Sequence, residues 1–556
     1  MLRRISIVAV AVALPLLTVL TPAANAQLRI VAHNVELGET PAASNWGDLV
    51  QGFGNQTING IAVRPAIYAL TELQIGEANT VKTYLNNVYG SQGGSYQVSE
   101  IDAGGERYAV AYDTSKVTYL ASYTFDIGTR NSQLVRFRPV GYTSSAADLW
   151  VFNSHLKAFS GSANESTRLS EVNYLRTFAG YVAGADANIV FLGDFNFTSG
   201  ASEPGYTQML AAGDHQAFDP AQFTSGQYTY GADGLYSRID FQLPTTELND
   251  NEGVDLIGTA VGNYSYIAYG NNGPFSPIPS AVVNASDHLP VMADYQLPAM
   301  MQVDVTDEPT RVIVGADAEL SVAVENVADV VAANGADELD YAITGDNAVT
   351  GADAGIDQAL GGGQNHNIAL DTATAGAKSG TLHVDSSSQA AENASYSQNV
   401  SYQVVDHANA SFSSGADQNA LHIDFGVITP GAGTQNAAGA ISNLESTLGF
   451  TAGLDLDSII ETDPDDLFTL LLNAFVNLDA GSQMNFTAQF NPNLTPGNYS
   501  ASYLLNLSDE DLPGAAAQQL TLTFDAQVIP EPATAVLLLT LSAAGLFARP
   551  RQRSQA

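Results

Sequence analysis

Hydrophobic and polar positions follow a strand-like pattern through the first three hundred residues. Apolar runs rich in Val, Ile, Leu, Phe and Tyr are separated by Gly, Ser, Asn and Asp, which is typical of strands joined by turns. Six of these runs are LRIVAHN, AIYALTEL, LWVFNSHL, NIVFLGDFN, SRIDFQL and SDHLPVMADYQL. A polar residue stands at or near the end of the first five and precedes the strand in the sixth. Because a polar group is costly to bury in mid-strand but can reach a cleft from a strand end, these side chains are expected to converge on one edge of the fold.

One helix is clearly indicated between the runs LWVFNSHL and NIVFLGDFN. Its apolar positions recur every three or four residues, at Leu169, Val172, Leu175 or Phe178, and Val182. Ser162 and Glu165 have the spacing of a capping box, which predicts the start of the helix. Arg168 and Arg176 are expected on its more exposed side, where Arg168 would form a surface ion pair rather than contact a phosphate.

The pattern changes between about residues 300 and 528. Short alternating runs such as AELSVAVEN, SGTLHVDS, LHIDFGVI and QLTLTFDAQV are separated by Gly, Asn, Asp and Ser. Regular short strands of this kind predict two immunoglobulin-like β-sandwich modules, at 300–405 and 406–528. The segment from Ile441 to Asp479 is more apolar, and we expect it to interrupt the second module with a helical insertion around Asp465 to Asn477.

The N-terminus has the pattern of a secretory signal peptide. Arg3 and Arg4 precede an apolar run from Ile5 to about Leu20, and the small-x-small sequence Ala-Asn-Ala ends at Ala26. We therefore expect residues 1–26 to be removed by signal peptidase, so that the mature chain begins near Gln27.

The C-terminal segment, residues 529–556, contains a second targeting pattern. Pro530-Glu531-Pro532 is followed by an apolar stretch of sixteen residues, Ala533 to Ala548, and then by Arg549, Arg551 and Arg553. A membrane-spanning helix usually needs about 20 residues. This arrangement resembles the PEP-CTERM sorting signal of Gram-negative and related bacteria, which implies processing by an exosortase-type enzyme. The alternative is a plain membrane anchor. Both predict an exported protein at the cell surface or outside the cell, with membrane contact only through this segment.

Composition limits the number of cores and the type of partner. A chain of 556 residues is too long for one core, and it has no cysteine with which to form disulfides. The formal charge of −39 repels polyanions from most of the surface and argues against a broad nucleic-acid footprint. A nuclease remains open if a metal and local cations attract substrate to a cleft; the candidate cations are Arg107, Arg136, Arg138 and Lys157. The Asp-rich stretch at 455–466 is expected to be a solvated loop rather than a Ca²⁺ site.

The polar strand ends form recognisable motifs. GDFN at 193–196 and SDH at 286–288 are the most specific, and RID at 238–240 and NSHL at 153–156 support them. In this order they resemble the endonuclease/exonuclease/phosphatase family, which includes deoxyribonuclease I-like nucleases, abasic-site endonucleases, inositol phosphatases and bacterial sphingomyelinases. The resemblance covers roughly residues 28 to 297, within a catalytic domain expected at 27–299. It implies a four-layered α/β sandwich of two mixed sheets covered by helices, with the site at one end.

The resemblance also implies a metal site. Glu72 and Asp287 are the candidate ligands, with Asn34 as a neutral ligand or an orienting residue. Mg²⁺ suits this set because it prefers oxygen ligands and is usually held by one or two carboxylates together with water and phosphate. Mn²⁺ and Ca²⁺ are the alternatives. Thr71 stands before Glu72 where the family commonly has Gln, so a hydrogen bond behind the ligand is expected to be rearranged.

The remaining residues are assigned by the same resemblance. Asp194 would orient and deprotonate the attacking water, and Asn196 would donate its amide to a phosphate oxygen. His288, held in one tautomer by Asp240, would stabilise or protonate the transition state, while His155 would bind the phosphate from the other side. Structural roles are expected for the other histidines: His33, His215, His366, His383, His407 and His422.

Two classes of function follow. The first is an exported metal-dependent phosphodiesterase of class EC 3.1, most readily a nuclease, with phospholipids and small phosphoesters ranked behind nucleic acid as substrates. The second is a non-catalytic surface or matrix adhesion protein built on the same fold. The first is favoured because none of the residues expected for catalysis is missing. No obligate protein partner is indicated by the sequence.

Overall fold

The computed structural model describes residues 27–36, 43–58, 60–221, 228–231, 237–259, 263–264, 266–268, 285–429, 431–462, 466–492 and 495–530. The predicted signal peptide and nearly all of the predicted sorting segment lie outside these residues. Within the described part of the chain, no helix is both long enough and apolar enough to span a membrane.

The N-terminal half contains helices and strands in mixed order. Its strands are β1 Leu28–Asn34, β2 Thr57–Ile58, β3 Ile61–Ala62, β4 Pro65–Leu73, β5 Tyr96–Asp102, β6 Arg107–Asp113, β7 Val117–Asp126, β8 Asn131–Pro139, β9 Leu149–His155, β10 Asn188–Asp194, β11 Asp240–Pro244, β12 Gly258–Thr259, β13 Asn263–Tyr264, β14 Tyr266–Ala268 and β15 Val291–Tyr295. Its helices are α1 Ala43–Asn55, α2 Glu77–Tyr89, α3 Ser162–Val182 and α4 Pro204–Met209, with short 3₁₀ turns at Gly90–Gln92, Ser145–Ala147, Gly200–Ser202 and Thr246–Leu248.

Two sheets pack face to face in this half. Among the described residues, six strands form one sheet in the order β14-β15-β1-β4-β6-β5, and five form the other in the order β11-β10-β9-β8-β7. The core between them contains Ile30 and Ile67 of the first sheet and Val151 and Val190 of the second. Helices α1 and α2 pack on the outer face of the six-stranded sheet, and α3 and α4 pack on that of the five-stranded sheet. The helix–sheet–sheet–helix layering expected for residues 28 to 297 is therefore present.

Strand register places the polar strand ends at one edge. β1 is parallel to β4 with Asn34 beside Thr71, and β9 is parallel to β10 with His155 beside Asp194. β11 is antiparallel to β10 and pairs Asp240 with Asp194. Asp240 is thus the first residue of its strand, and the prediction that it ends a strand was wrong. It still reaches the same edge because antiparallel neighbours begin where their partners end.

Helix α3 begins differently from the prediction. Gly161 occupies the N-cap position, and no side chain caps the helix. The expected capping box is absent, because Ser162 is already helical and Glu165 accepts a hydrogen bond from the Ser199 hydroxyl instead. Arg168 is fully buried rather than exposed. The hydrophobic spacing of a helix does not reveal a buried ion pair, since an arginine is ordinarily a surface residue.

The C-terminal half is rich in β-strands. They are β16 Met301–Thr306, β17 Arg311–Ile313, β18 Glu319–Asn326, β19 Leu339–Asn347, β20 Asp353–Asp357, β21 Gln364–Ala369, β22 Gly376–Ser386, β23 Ser395–Val405, β24 Ala410–Ser411, β25 Ala420–Ile428, β26 Gln435–Asn443, β27 Leu454–Thr462, β28 Phe468–Leu471, β29 Gln483–Phe490, β30 Gly497–Asp509 and β31 Ala517–Val528, with one 3₁₀ turn at Ala333–Gly335.

These strands form four sheets with two main cores. The sheets β16-β18-β21 and β17-β23-β22-β19-β20 enclose one core, and β24-β26-β29-β28 and β25-β31-β30-β27 enclose the other. The expected helical insertion around Asp465 to Asn477 is wrong: the described part of that segment contains strand β28 and no helix, and Phe475 lies in the second core. Its apolar residues pack in the core between two sheets rather than on one face of a helix. The immunoglobulin-like topology stays a prediction.

A buried ion pair ties the ends of the N-terminal half together. Arg29 of β1 and Asp294 of β15 are both fully buried, and the guanidinium donates to the two carboxylate oxygens at 2.7 Å each. Arg29 also donates to the carbonyls of Phe53 at 2.6 Å and Gln56 at 2.7 Å, at the end of α1. Arg29 therefore connects the six-stranded sheet to the helix layer.

We expect Arg29→Ala to lower the free energy of unfolding of the N-terminal half by about 3–5 kcal/mol, because it leaves a buried carboxylate without its partner. Arg107→Ala is the matched control: its ion pairs are partly exposed and should contribute at most about 1 kcal/mol. The chain has two tryptophans, Trp46 and Trp150, and both lie in this half. Denaturation followed by tryptophan fluorescence therefore reports on it selectively, and equal losses in the two variants would contradict the prediction.

Candidate active site

The polar strand ends meet in one cleft of about 590 Å³. Predicted site residues that line it are Glu72, His155, Asp194, Asn196, Asp287 and His288. Asn34 and Asp240 lie directly behind these residues, within hydrogen-bond distance of them. The structure thus brings together all eight predicted residues.

A bulge in β4 turns Glu72 toward the cleft. The pairing of β4 with β6 shifts register between Leu70 and Leu73, and Glu72 has a left-handed backbone with φ of 57°. A non-glycine residue in this region is uncommon, and bulges frequently redirect side chains beside active sites. The preceding Thr71 is buried, and its hydroxyl has no hydrogen-bond partner among the described residues. Thr71 therefore provides no side-chain hydrogen bond to the described residues behind Glu72, the candidate metal ligand.

Asn34 holds two carboxylates in place. Its amide nitrogen donates to Glu72 Oε1 at 2.8 Å and to Asp194 Oδ2 at 3.1 Å. Its amide oxygen accepts the backbone N–H of Glu36 at 3.1 Å. Because both ends of the amide are engaged, this geometry fits an orienting residue better than a metal ligand.

The GDFN motif allows β9 and β10 to approach closely. A Cβ on Gly193, whose φ is 119°, would lie 2.1 Å from the carbonyl oxygen of Ser154, so no other residue fits. Asp194 follows at the end of the strand, and its Oδ1 accepts the backbone N–H of Asn196 at 2.9 Å. Asn196 is itself left-handed with φ of 51°, and its amide donates to the Leu156 carbonyl at 3.3 Å.

The SDH motif, residues 286–288, forms another part of the cleft. The Ser286 hydroxyl donates to the Asn34 carbonyl at 2.7 Å and accepts the backbone N–H of His288 at 3.0 Å. His288 Nδ1 donates to Asp240, 2.8 Å from Oδ2. Burial lowers the pKa of His288, but the negative charge and hydrogen bond of Asp240, with further help from nearby carboxylates, outweigh burial and raise the pKa to about 10. His288 is therefore a charged donor at neutral pH.

His33 supports His288 from behind. It is buried, its Nε2 lies 3.3 Å from the His288 carbonyl oxygen, and its Nδ1 lies 2.9 Å from the Tyr68 hydroxyl. Burial, followed by the positive charge of His288, lowers the pKa of His33 to about 3. The neutral His33 imidazole therefore helps to position the His288 backbone and is not among the residues that line the cleft.

Arg130 lines the cleft and Glu106 lies behind His155, and neither residue was predicted. Glu106 Oε1 lies 3.0 Å from His155 Nδ1 and 2.9 Å from Arg130 Nε. Burial lowers the pKa of His155, but Asp194 and Glu106 outweigh it and raise the pKa. Glu106 stands just before β6, at the start of an apolar strand antiparallel to β4. Asp287 and His288 were predicted from the same pattern, a polar residue shortly before an apolar strand. A search of the residues at both ends of each strand would therefore also have found Glu106.

Asp194 lies at the centre of the cluster. Its Oδ2 is 3.5 Å from His155 Nε2 and 4.0 Å from His288 Nε2. Burial raises the pKa of Asp194, while the positive charge of His155 opposes that increase. Two imidazoles, each backed by a buried carboxylate, thus flank one buried carboxylate.

The cations expected at the cleft are mostly elsewhere. Arg136 and Arg138 both pair with the buried Asp148, and Arg107 pairs with carboxylates of its own sheet. Of the Lys and Arg residues in the described part of the chain, Arg130 is the one that lines the cleft. Strand register determines which carboxylate each of these arginines can reach, and register cannot be derived from composition.

The cleft fits a divalent cation. The Glu72 and Asp287 side chains are 20% and 31% exposed, whereas Asp194 is buried. Asp287 Oδ1 accepts no hydrogen bond within the described chain, although it is buried. Burial raises the pKa of Asp287, and the positive charge of His288, whose Nε2 lies 3.7 Å from Oδ1, only partly opposes that increase. An unsatisfied carboxylate oxygen beside a second carboxylate is what a hard cation needs.

Two compact ligand groups also occur. Potential ligand atoms of Glu72, Glu106 and His155 lie within 4.8 Å of one another, as do those of Asp194, Asp240 and His288. These sets differ from the predicted set of Asn34, Glu72 and Asp287. Both sets include an imidazole nitrogen, whereas Glu72 and Asp287 offer oxygen donors alone, so this pair remains our choice of ligands for a hard cation.

In metal-free protein, we expect the His288 imidazole to remain protonated at pH 8, because its pKa is raised to about 10. Asp240→Asn removes the largest source of that increase and should bring the titration down toward the ordinary value of 6.5. Long-range ¹H–¹⁵N spectra of the imidazoles, recorded against pH in EDTA, measure both. A His288 that titrates near 6.5 in the unaltered protein would contradict the prediction.

Comparisons with known proteins show resemblance to solved structures. No protein-family model matches the chain, and no curated protein matches it. Humanized TDP2 of D. rerio is 17% identical and covers 49% of this chain and 99% of its own, with a TM-score of 0.32. An endonuclease/exonuclease/phosphatase family protein from Bacteroides thetaiotaomicron is 12% identical over 48% of this chain and 97% of its own, with a TM-score of 0.34. An endonuclease/exonuclease/phosphatase from Beutenbergia cavernae is 12% identical over 67% of this chain and 100% of its own, with a TM-score of 0.33. The structural neighbours of the chain thus include proteins of the endonuclease/exonuclease/phosphatase family, and the chemistry proposed for this chain depends on its own side chains.

Proposed function

We propose that the protein is a divalent-metal-dependent phosphoesterase that cleaves phosphodiester bonds by in-line attack of water. The observation that carries the proposal is the placement of Asp194. Its buried carboxylate lies between His155 and His288, beside the partly exposed carboxylates of Glu72 and Asp287. Such a cluster provides a base, two cationic donors and a cation site within one cleft.

Asp194 is the proposed general base. Its Oδ1 is fixed by the Asn196 backbone and its Oδ2 by the Asn34 amide, so the carboxylate has one orientation. Burial raises its pKa, which makes the carboxylate more basic than an exposed aspartate. It would take the proton of a water molecule placed for attack on phosphorus.

His288 and His155 are the proposed donors to the phosphate. The positive charge on His288 is maintained by Asp240 and that on His155 by Glu106 and Asp194. Hydrogen bonds from fixed cationic groups to oxygens that gain negative charge stabilise the transition state more than the ground state. The Asn196 amide would bind a further non-bridging oxygen.

Glu72 and Asp287 are the residues that would hold the metal, with Asn34 orienting Glu72. When bound, a divalent cation supplies polarisation of the phosphoryl oxygens and neutralises developing charge. Mg²⁺ is proposed because both ligands are oxygen donors, with Mn²⁺ and Ca²⁺ as alternatives.

Nucleic acid is the proposed substrate class, so the protein would be a nuclease. The formal charge of −39 opposes long-range attraction of a polyanion, so binding would depend on the cleft itself. Sphingomyelinase-like action on phospholipids and action on small phosphoesters are the alternatives that a substrate panel would reveal.

Export remains a proposal from the sequence. The signal-like segment 1–26 and the PEP-CTERM-like segment 529–556 support secretion by way of signal peptidase and sorting by an exosortase-type enzyme. The β-rich half would then hold the catalytic half at the surface or in an extracellular matrix. A non-catalytic adhesion role is the competing outcome.

We expect the full chain to release 4-nitrophenol from bis(4-nitrophenyl) phosphate with Mg²⁺ or Mn²⁺ and to lose this activity in EDTA. Asp194→Asn and His288→Ala should each lower kcat about 10²- to 10⁴-fold, because they remove the base and a donor. Thermal unfolding should change little in Asp194→Asn, whereas His288→Ala should unfold at a lower temperature, because it leaves the buried Asp240 carboxylate without its imidazole partner. Asp525→Asn and His422→Ala are matched controls, since these residues form an exposed Asp–His pair in the β-rich half. A folded protein without metal-dependent release would favour the adhesion role.

Metal affinity should depend on the side chains assigned to the cation. We expect Asn34→Ala to weaken Mn²⁺ binding about 10- to 100-fold, because an orienting hydrogen bond to the ligand is lost. Glu72→Gln should weaken it at least as much. Electron paramagnetic resonance of free Mn²⁺ gives the affinity without any substrate. Unchanged affinity in Glu72→Gln would remove this residue from the metal site.

A further inference from the structure

Phe159 is an unusual residue at the rim of the cleft. Its side chain lines the cleft, yet the residue is 73% exposed. Its backbone is left-handed, with φ of 74°. A bulky aromatic residue in this region is a genuine outlier and costs free energy of order 1–3 kcal/mol. An exposed phenyl ring gains nothing from burial that would offset this cost within the chain.

Buried charges of α3 hold this backbone in position. Arg168 Nη1 donates to the carbonyls of Lys157 and Phe159, at 2.8 Å each. Glu171 Oε2 accepts the backbone N–H of Lys157 at 2.8 Å. Arg168 is fully buried, and its Nε donates to Glu203 Oε1 at 2.9 Å. The loop 157–161 is therefore fixed from inside the protein.

The same loop is joined to the catalytic cluster. It follows directly from His155 at the end of β9, and Arg130 donates to the Leu156 carbonyl at 3.1 Å. Arg130 also pairs with Glu106, the partner of His155. Two ion pairs, Arg168–Glu203 and Arg130–Glu106, thus fix the backbone between His155 and Phe159 through hydrogen bonds to its carbonyls. Strain of this kind persists where the surroundings over-determine a conformation, which is typical of ligand-binding positions.

We propose that Phe159 is a platform on which the nucleobase next to the scissile phosphate stacks, so that the preferred substrates are phosphodiesters with an unpaired base, such as short single strands. This inference rests on the proposed function and specifies its substrate. Stacking suits a strongly acidic protein, because the π-face of a base is bound without a row of cations along the backbone. The Lys157 ammonium lies over one face of the ring, 5.2 Å from its centroid. The base would therefore stack on the other face, and the ammonium could attract the adjacent phosphate.

Insertion into a membrane is the other use of an exposed phenyl ring. The neighbours of Phe159 in the chain are Ala158 and Ser160, which add no large apolar side chain. Interfacial binding generally needs a wide apolar face with basic residues around it. The observations therefore favour a single stacked ring over a lipid contact.

The test uses the full chain with trithymidylate and with the same trinucleotide carrying an abasic tetrahydrofuran residue on either side of the cleaved bond. We expect Phe159→Ala to raise KM for trithymidylate about ten-fold with a smaller effect on kcat, because stacking on an aromatic side chain is lost. Phe159→Tyr should keep the original KM, and Phe159→Leu should behave like the alanine variant. The abasic substrate that lacks the stacked base should already have a high KM with the unaltered protein, and Phe159→Ala should not raise that KM further.

The matched control is Tyr181→Ala. Tyr181 is 85% exposed and lies near the other end of α3, about 30 Å from the loop at 1.5 Å per residue. It should leave KM unchanged. Equal KM for trithymidylate and both abasic substrates, or no effect of Phe159→Ala, would overturn the inference even if metal-dependent hydrolysis is intact. Loss of binding to phosphatidylcholine/phosphatidylserine vesicles in Phe159→Ala, with KM unchanged, would overturn it in favour of a membrane contact.

A second readout separates this inference from the proposed function. A trinucleotide with 2-aminopurine at the stacked position should be quenched on binding to Asp194→Asn, and the quenching should disappear in the double variant with Phe159→Ala. If the unaltered protein hydrolyses no diester, the proposed function fails, but this binding signal still decides the stacking. Absence of quenching would overturn the platform.

Discussion

The site depends on the burial of negative charge at the edge of two sheets. Glu72, Glu106, Asp194, Asp240 and Asp287 gather within one cluster, and three groups offset them: His155, His288 and Arg130. With every group ionised, the cluster has two more negative charges than positive ones. Burying uncompensated charge is expensive, and proteins meet that cost by protonation or by a cation. Burial raises the pKa values of Asp194 and Asp287, and a divalent cation would offset the remaining negative charge.

Charge compensation also explains why each imidazole has its own carboxylate. Without Asp240, burial would drive His288 toward the neutral form, as it does for His33, whose nearest charge is positive. Two histidines of similar burial thus have opposite shifts of pKa, and the difference comes from their partners. The carboxylate behind the ring is what makes the imidazole a dependable donor at the cleft.

The sequence predicted that these residues lie together because strand ends obey simple rules. Asn34, His155 and Asp194 each end a strand, and parallel pairing brings them to one edge. Glu106 was missed because it precedes its strand, and Arg130 because an isolated arginine in a turn has no distinctive spacing. The N-terminus of α3 was misassigned for a related reason: Ser162 and Glu165 satisfy the spacing of a capping box, but Gly161 occupies the cap. Spacing indicates which residues share a face, whereas the choice between solvent and a buried partner, as for Arg168, depends on neighbours distant in sequence.

The β-rich half packs against the end of the α/β core opposite to the cleft. The core between the two sheets continues into Ala328, Val330, Ala336 and Ala359, and Leu297 forms a bridge with Ala336. These contacts lie near the start of β1 and β9, whereas the site lies where those strands end. The C-terminal half therefore completes the core without covering the cleft. A chain cut at residue 299 would expose apolar surface that the full chain buries, so the intact protein is the proper form in which to measure activity.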